Sequence, residues 1–383
     1  MKALKLIIFA CCIVNFACKD TFRPKVDSNY KDLLVVDGFI NIGGITTIKV
    51  GRSIDLSDSR AYAPEKNAAI SVFGEDGLEL KGTTNEVGEC LLPTQNLNLT
   101  KKYKLSIVLA GTKTYETDFL TSKVAPEIDD LRFSTTATGF NILLNTHDPS
   151  NTTKYYTWDY EETWELTVPF VSTHEFRNSQ VVRRDPNINI QHCWGHSNSS
   201  AILLGATARL SQDKITDAPI TFVPGNSVKV AYLYSILVKQ YGLSKEAYEY
   251  LENLKKNTEQ IGGIFDPQPS ELKGNIKCIS APTEQVIGWI SAGRMVQKRL
   301  FISYKDKRAP GANWVYVQPC ESIVVDKDSL VNYIRADKVI INEQTWVAPG
   351  TLEPVFYRYA MSTIECIDCR VRGSNIKPSF WPN

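Results

Sequence analysis

The sequence has no excess of charge of either sign, since its 383 residues include 43 Lys and Arg against 42 Asp and Glu. A protein that binds nucleic acid through phosphate contacts carries a basic excess or a basic stripe. A disordered acidic chain carries the opposite bias. Because neither pattern is present, we expect no nucleic-acid partner. At about 150 residues per domain, the length predicts two or three globular domains.

Histidines and catalytic motifs are also scarce. The chain contains four histidines, and it has no Gly-x-Ser-x-Gly, His-Glu-x-x-His or Walker motif. His192 and His196 have the spacing of a helical zinc pair, but the residues around them oppose a helix. We therefore expect no metal, no cofactor and no enzymatic activity.

No internal apolar run is long enough to cross a membrane, because a spanning helix needs about 20 residues. At the N-terminus, Lys2 and Lys5 precede an apolar run of 11 residues at 6–16, and the small residue Ala17 follows. This pattern is typical of a signal peptide, which we predict over residues 1–17. Cys18 directly after Ala17 resembles the processing site of bacterial lipoproteins.

A lipidated Cys18 would anchor the mature chain in the outer membrane, because several acyl chains together bind a bilayer firmly. Lys19 and Asp20 resemble the export signal of Bacteroidota lipoproteins that face the cell exterior. A periplasm-facing anchor is the alternative. Residues 18–31 are polar and lack periodicity, so we expect an anchor followed by a tether.

Residues 32–125 have the pattern of short strands with turns between them. In one of these strands Tyr103, Leu105, Ile107 and Leu109 alternate with polar residues. No helix of ten residues fits this region, so we predict an N-terminal β-sandwich. The segment 81–103 resembles part of a transthyretin-like sandwich, although Cys90 stands where an aromatic residue is usual.

Residues 126–305 predict a second β-sandwich with an irregular insert at 168–226. A long strand at 155–166 places Trp158 and Trp164 on one face and carboxylates on the other, and it resembles the core strand of a fibronectin III or immunoglobulin-like sandwich. A further strand is predicted over 228–241. A helix follows over 244–258, with Ser244 as N-cap.

The C-terminal residues 306–383 predict an irregular extension with one short helix near 329–336. An even number of cysteines outside the cytoplasm predicts disulfides, and six remain in the mature chain after Cys18. We expect Cys193 to pair with Cys278, and Cys320 to pair with either Cys366 or Cys369. Cys90 would then be a free thiol.

Several segments together resemble a known family. They are residues 34–38, 160–165, 193–194, 239–241, 262–269, 274–276, 299–302, 366–369 and 377–381. With these segments the chain resembles the Bacteroidota lipoprotein family called domain of unknown function 4249, over nearly all of residues 18–383. The resemblance implies a surface lipoprotein found near TonB-dependent transporters, and it carries over no site residues.

These observations predict an accessory binding lipoprotein of a TonB-dependent nutrient-uptake system. Its partners would be the transporter and a polysaccharide or peptide ligand. The candidate binding residues are Trp158, Glu162, Trp164, Phe265 and Asp266.

Two alternatives remain open at this point. One is a structural or adhesive envelope lipoprotein. The other is a hydrolase of extracellular polymers that would pair Glu161 or Glu162 with Asp266.

Overall fold

The computed structural model describes residues 32–54, 63–109, 113–259, 272–303, 316–347, 350 and 354–382, which form a mainly β protein. The strands are numbered in chain order. Sheet A consists of β1 (Leu34–Asn41), β2 (Ile45–Arg52), β3 (Ala63–Pro64), β6 (Glu89–Pro93), β10 (Lys123–Val124), β21 (Val286–Ile287) and β22 (Ser291–Arg294). Sheet B consists of β4 (Ala69–Gly74), β5 (Glu79–Thr83), β7 (Lys102–Leu109), β8 (Lys113–Thr117), β9 (Leu120–Thr121) and β20 (Ile276–Cys278).

The remaining strands form four further sheets. Sheet C consists of β11 (Ile128–Thr135), β12 (Gly139–His147) and β18 (Lys214–Pro224). Sheet D consists of β13 (Tyr155–Thr167), β16 (His192–Asn198), β17 (Leu203–Ala206), β19 (Tyr234–Gly242) and β23 (Val296–Ile302). Sheet E is the hairpin of β14 (His174–Arg177) and β15 (Gln180–Arg183), and sheet F contains β24 (Ile323–Asp326), β25 (Lys338–Val347) and β26 (Pro354–Thr363).

Sheets A and B pack against each other around one hydrophobic core. Along β7, Tyr103, Leu105 and Ile107 are at most 1% exposed, because alternate side chains of a strand point to the same face. From sheet A, Leu34 and Ile48 join the same core. The alternation predicted for this strand is confirmed.

Residues 276–294 complete this first sandwich, although the sequence placed them in the second one. Strand β20 pairs with β8 of sheet B, and β21 and β22 run parallel to β1 of sheet A. Ile276 and Ile290 are buried in the first core. Short apolar segments do not reveal which distant strand they will pair with, so the sequence pattern alone could not locate them. The first sandwich is therefore built from two separated parts of the chain.

Sheets C and D enclose a second core, which contains Phe140, Trp158 and Tyr234. Strand β13 lies in the middle of sheet D, where it pairs with β16, β17 and β19. The predicted long strand at 155–166 and its core tryptophan are confirmed.

The strand predicted over 228–241 begins later than expected, at Tyr234. Residues Val228–Val230 form a 3-10 turn, because the Ser227 side chain accepts a hydrogen bond from the Lys229 amide and caps the turn. Tyr232 is consequently 44% exposed, whereas Tyr234 is fully buried.

Two α-helices occur among the described residues, α1 (Lys245–Glu259) and α2 (Leu330–Arg335). Both agree with the helices predicted over 244–258 and near 329–336. The Ser244 Oγ accepts a hydrogen bond from the Ala247 amide at 3.2 Å, as an N-cap does. Among the residues that the structure describes, no helix is long and apolar enough to cross a bilayer.

The insert at 168–226 and the extension at 306–383 are more regular than predicted. The insert contributes the hairpin of sheet E, and the extension contributes sheet F. Phe176 and Val181 of the hairpin pack on Ile340 and Tyr359 of sheet F. Two segments without clear periodicity thus stabilise each other through a small core of their own.

Two disulfides hold the C-terminal part of the chain. Cys193 pairs with Cys369, and Cys320 pairs with Cys366, which is one of the two partners that the sequence left open for it. The two neighbouring C-terminal cysteines therefore serve two different bridges.

The predicted bridge between Cys193 and Cys278 is wrong. Cys278 lies on β20, where it is buried in the first core as a free thiol, whereas Cys193 is buried in a separate cluster beside Leu166. The recruitment of β20 to the first sandwich separates the two sulfurs. Cys90 is a buried free thiol, as expected.

Candidate binding cleft between two sheets

The alternate side chains of β13 form two different surfaces. Tyr156 and Trp158 face the second core, and Asp159 and Glu161 face outward. This division follows from the two-residue period of a strand. The outward carboxylates and the core aromatics therefore belong to separate parts of the molecule.

Glu162 lies on the core side, where its carboxylate is enclosed by three donors. Its Oε1 accepts from the Tyr234 hydroxyl at 2.8 Å, and its Oε2 accepts from the Lys229 Nζ at 2.5 Å and the Ser197 Oγ at 3.1 Å. The Glu162 side chain is only 5% exposed. A buried carboxylate needs such partners to offset the loss of water. These three contacts make the carboxylate of this candidate binding residue inaccessible to a ligand.

The two candidate tryptophans also lie on the core side. Trp158 is 4% exposed, and its Nε1 donates to the Gln240 Oε1 at 2.8 Å. Trp164 is half-buried, and the Lys229 Nζ lies 5.0 Å from the centre of its ring. The expectation that exposed tryptophans of this region would contact a ligand is therefore not met by Trp158.

The other proposed site residues lie outside the described part of the chain. Phe265 and Asp266 belong to this group, and so do the predicted lipid-attachment residue Cys18 and the export residues Lys19 and Asp20.

The outward face of sheet D carries a row of polar pairs. The Tyr241 hydroxyl donates to the Asp159 Oδ2 at 2.7 Å, and the Lys239 Nζ donates to the Glu161 Oε1 at 2.5 Å. Burial raises the pKa of Asp159, and the Tyr241 hydrogen bond and the Lys239 charge oppose that rise. The charge of Glu161 and, more weakly, that of Asp37 on another sheet raise this pKa further by repulsion. An approach of sheet A to sheet D produces this repulsion.

Strand β1 brings two residues of sheet A to this face. Asp37 and Phe39 are two positions apart, so they point to the same side of the strand. The rings of Phe39 and Tyr241 meet edge to face, with 4.9 Å between their centroids. Lys49 on β2 lies opposite Asp37 in the ladder, and its Nζ lies 3.6 Å from the Glu89 carboxylate.

Trp289 lies beside Asp37 on the neighbouring chain segment. Strand β1 pairs with β21 and with β22 in the same register, because residue 34 is opposite residue 286 and residue 39 is opposite residue 291. Residue 289 therefore lies next to residue 37. Trp289 contacts Tyr250 of α1, with 5.6 Å between the ring centroids. The Tyr250 side chain is 5% exposed. Helix α1 therefore closes one side of the same region.

Asp37 lies where sheets A and D approach each other. Its side chain is exposed to water, yet burial among protein atoms is the largest influence on its pKa, which is raised. The ring contacts bring the two sheets and α1 together around this exposed carboxylate. We call the place where these elements meet the inter-sheet cleft; its residues are Asp37, Phe39, Asp159, Tyr241, Tyr250 and Trp289. Ligand sites occur preferentially in clefts between domains and beside groups with perturbed pKa values.

The C-terminal residues cover another part of the outward face of sheet D. The guanidinium of Arg299 lies 3.6 Å from the centroid of the Phe380 ring, and Phe301 meets Trp381 edge to face at 5.7 Å. Burial lowers the pKa of Arg299, while the Glu161 charge opposes this. The described end of the chain thus packs beside the cleft and leaves less of the outward face of sheet D exposed.

The two histidines with zinc-like spacing have other partners. The His192 Nε2 lies 2.6 Å from the Glu165 Oε1, and the His196 Nε2 contacts the Asn198 Oδ1 at 3.0 Å. No group of three or more His, Cys, Asp or Glu side chains in the described ranges could hold a metal ion.

Sequence reasoning missed most residues of the cleft. An Asp-Gly pair is typical of a turn, but β1 continues through Asp37 and Gly38 to Asn41. Phe39, two residues after Asp37, was the available signal that the alternation continues. Trp289 and Tyr250 carried no such signal, because only the pairing of β21, β22 and α1 with distant elements brings them to this place.

Comparison with known proteins identifies one family. Residues 19–299 match the family described as domain of unknown function (DUF4249). The match ends before residue 300, so it does not include the C-terminal segments at 366–369 and 377–381 in which the sequence suggested the same likeness. No curated protein matches the chain.

Proposed function

The chain belongs to the DUF4249 family, and on that premise we propose that it is a surface-exposed lipoprotein of the outer membrane. It would act as an accessory binding component of a TonB-dependent nutrient-uptake system. The observation that carries the binding role is the inter-sheet cleft, in which the exposed Asp37, the partly buried Asp159 and aromatic rings come together from two sheets and one helix.

The fold supports a binding role as well. Both sandwiches place a hydrophobic core between two sheets, so contacts with other molecules fall to their outward faces and to the cleft. As part of the proposal, the first sandwich is transthyretin-like and the second is fibronectin III or immunoglobulin-like, which are fold types that serve as spacers and binding modules. The cleft then lies where the two modules meet.

The membrane anchor of the proposal rests on Cys18 and the two residues after it. Residues 21–31 could extend for about 35–40 Å, so the folded body could move over a transporter in the same membrane. Metabolic labelling with a radioactive fatty acid in a Bacteroidota host tests the anchor. Label on the wild-type chain and on Cys12→Ala, but none on Cys18→Ala, is expected. Equal label on all three would contradict acylation at Cys18.

Exposure at the cell surface is a separate part of the proposal. Proteinase K added to intact cells should degrade the anchored protein if it faces the exterior. Complete protection in intact cells, with degradation after the outer membrane is opened, would instead show that it faces the periplasm.

The transporter partnership is tested by cross-linking in intact cells, followed by purification from the outer membrane. Recovery of a TonB-dependent transporter with wild type, and of much less with Cys18→Ala, is expected. Recovery of no transporter would contradict the uptake role and favour a structural or adhesive lipoprotein.

The hydrolase alternative has less support. It needs Glu161 or Glu162 as a general acid or base, but Glu161 is ion-paired with Lys239 and Glu162 is enclosed by three donors. Both carboxylates are therefore held in contacts within the protein.

A further inference from the structure

The last described residues lie on the protein as a surface segment, and we call residues 374–382 the docked segment. Of its side chains only Trp381 is buried, at 6% exposed, whereas Ile376 is 75% and Phe380 42% exposed. A strand that belongs to a core buries alternate side chains, as β7 does. One buried aromatic side chain in an otherwise exposed segment is instead typical of a peptide bound through an anchor residue.

One end of the docked segment pairs with the edge of sheet D through main-chain atoms. Ser374 and Trp194 of β16 exchange two main-chain hydrogen bonds, at 2.8 and 2.9 Å. The Asn375 Nδ2 donates to the Asn189 carbonyl oxygen at 2.8 Å. Main-chain pairing at a sheet edge adds affinity without selecting side chains. This end therefore positions the segment on the sheet.

The other end of the docked segment is held by its aromatic side chains. Phe380 lies against the guanidinium of Arg299, and Trp381 meets the ring of Phe301. Arg299 and Phe301 are two residues apart on β23, so they share its outward face. The Arg299 Nη1 donates to the Ser235 Oγ at 3.0 Å, which fixes the guanidinium in place. This end therefore selects aromatic residues.

The docked segment crosses the outward face of sheet D. Its two ends contact β16 and β23, and β13 and β19 lie between these two strands in the sheet. On those inner strands Thr163 and Ser235 point outward, because Tyr234 and Ile236 face the core. Both are nevertheless buried, at 4% and 0% exposed. A segment that lies above them accounts for this burial.

The same face keeps a donor that the docked segment does not satisfy. Trp194 is opposite Glu165 in the ladder with β13, so its indole points outward beside Ser374. The side chain is 8% exposed, and its Nε1 forms no hydrogen bond with a described residue. A buried donor without a partner costs free energy. A ligand that brings an acceptor oxygen to this place would bind the face more tightly than the docked segment does.

The docked segment is also a separable part of the chain. The family match includes β13, β16, β19 and Arg299, but it ends before the docked segment. Cys369, which precedes the segment, is bonded to Cys193 of β16. Release of Trp381 would therefore free the segment while its start stays fixed beside the surface.

We propose that the outward face of sheet D is a peptide-binding surface and that the docked segment is its exchangeable occupant. The partner is an extended segment of another protein that carries two adjacent aromatic residues, which take the places of Phe380 and Trp381. The docked segment keeps the surface closed until such a partner replaces it. This inference goes beyond the proposed function, because it requires neither the inter-sheet cleft nor the membrane anchor.

Fluorescence anisotropy of a labelled synthetic peptide with the sequence of residues 373–383 tests the proposal. The peptide is titrated with the mature chain (residues 18–383), either as wild type or as the double variant Phe380→Ala/Trp381→Ala, which keeps the whole chain but loses both aromatic anchors. A tethered occupant competes at an effective concentration of about millimolar, so the double variant should bind the peptide at least about tenfold more tightly than wild type. A peptide with the same two alanines is the control and should not bind.

A further substitution connects the binding to the surface. Arg299→Gln in the double variant removes the guanidinium under Phe380 and should weaken peptide binding. Arg358→Gln is the matched control, because Arg358 is an exposed arginine of sheet F that pairs with Asp326. It should leave binding unchanged. Circular dichroism shows whether each variant is folded. If the double variant is not, Phe380→Ala alone, which replaces a 42% exposed side chain, gives the same comparison.

Several results would overturn the proposal. Absence of peptide binding by the folded variant that lacks the anchors would exclude a peptide-binding surface. Equal binding by this variant and by wild type would show that the docked segment does not compete for the surface. Equal binding of the control peptide would remove the aromatic residues from the explanation, and binding that Arg299→Gln leaves unchanged would place the peptide elsewhere. None of these results would affect the fatty-acid and transporter tests of the proposed function.

Discussion

Replacing Glu162 by Gln tests whether this carboxylate stabilises the fold. The Gln side chain has the same shape but no charge, and it offers one accepting oxygen and one donating amide. Donors approach both oxygens of Glu162, from Tyr234 on one and from Lys229 and Ser197 on the other. With the amide nitrogen toward Tyr234, whose hydroxyl can also accept, the hydrogen bonds can be kept, but the negative charge that neutralises Lys229 is lost.

The structure also sets the size of the expected loss. Breaking a buried ion pair by removing one partner costs about 3–5 kcal/mol. The Lys229 side chain is 25% exposed, so water screens part of the charge left behind. We therefore expect Glu162→Gln to lower the free energy of unfolding by about 3 kcal/mol, at the lower end of that range. Urea unfolding followed by tryptophan fluorescence measures this loss, because Trp158 and Trp164 lie in or beside the same core.

Glu161→Gln is the matched control on the same strand. Its carboxylate also pairs with a lysine, at 2.5 Å from the Lys239 Nζ, but its side chain is 34% exposed. A pair of this kind contributes about 1 kcal/mol or less. Combining Glu162→Gln with Lys229→Met should recover part of the loss, because the uncompensated charge is removed. Equal losses for the two single Gln variants would refute the reasoning.

Three further predictions concern the disulfides, Asp159 in the cleft and the packing of β16 against β13. Cys369→Ser should destabilise the chain more than Cys320→Ser. The loss of chain entropy on closing the loop is about 5 kcal/mol for the Cys193–Cys369 bridge and about 4 kcal/mol for the shorter Cys320–Cys366 bridge. The reverse order of stabilities in urea unfolding would contradict this. Asp159→Asn should raise the free energy of unfolding at pH 7, because the folded-state pKa of Asp159 is raised above 3.8. That gain should shrink as the pH falls through the raised pKa and vanish below 3.8, and a gain independent of pH would argue against it. Gly195→Ala would place a methyl group 2.3 Å from the Trp164 ring. This overpacking should lower the free energy of unfolding by about 1–3 kcal/mol in the same assay. Wild-type stability of the variant would disprove the contact.

The local pattern of the sequence predicted those elements whose cause is local. The alternation of Tyr103, Leu105 and Ile107 corresponds to β7, and the Ser244 cap corresponds to the start of α1. The carboxylates on the outward face of β13 also follow from alternation alone. In each case the physical cause lies within a few residues of the element, so a single sequence is sufficient.

Contacts between distant segments were not predictable in the same way. Strand β20 has three residues, and nothing in its composition shows that it pairs with β8 more than 150 residues earlier. The wrong partner for Cys193 follows from this, because Cys278 moves with β20 into the first sandwich. The cleft itself was missed for the same reason, since Asp37 and Trp289 become neighbours only through the parallel pairing of β1 with β21 and β22.

The placement of residues 276–294 connects the fold to the proposed site. These residues complete sheet A, and they also carry Trp289 to the wall of the inter-sheet cleft. The chain enters the second sandwich before it returns to the first. Strands β13 and β19, which carry Asp159 and Tyr241, therefore lie between the two parts of the first sandwich in the sequence. All six residues that line the cleft lie within residues 19–299, which match the family, whereas both disulfides require cysteines beyond residue 299. The cleft therefore belongs to the part of the chain that defines the family, and the disulfides stabilise an extension that packs beside it.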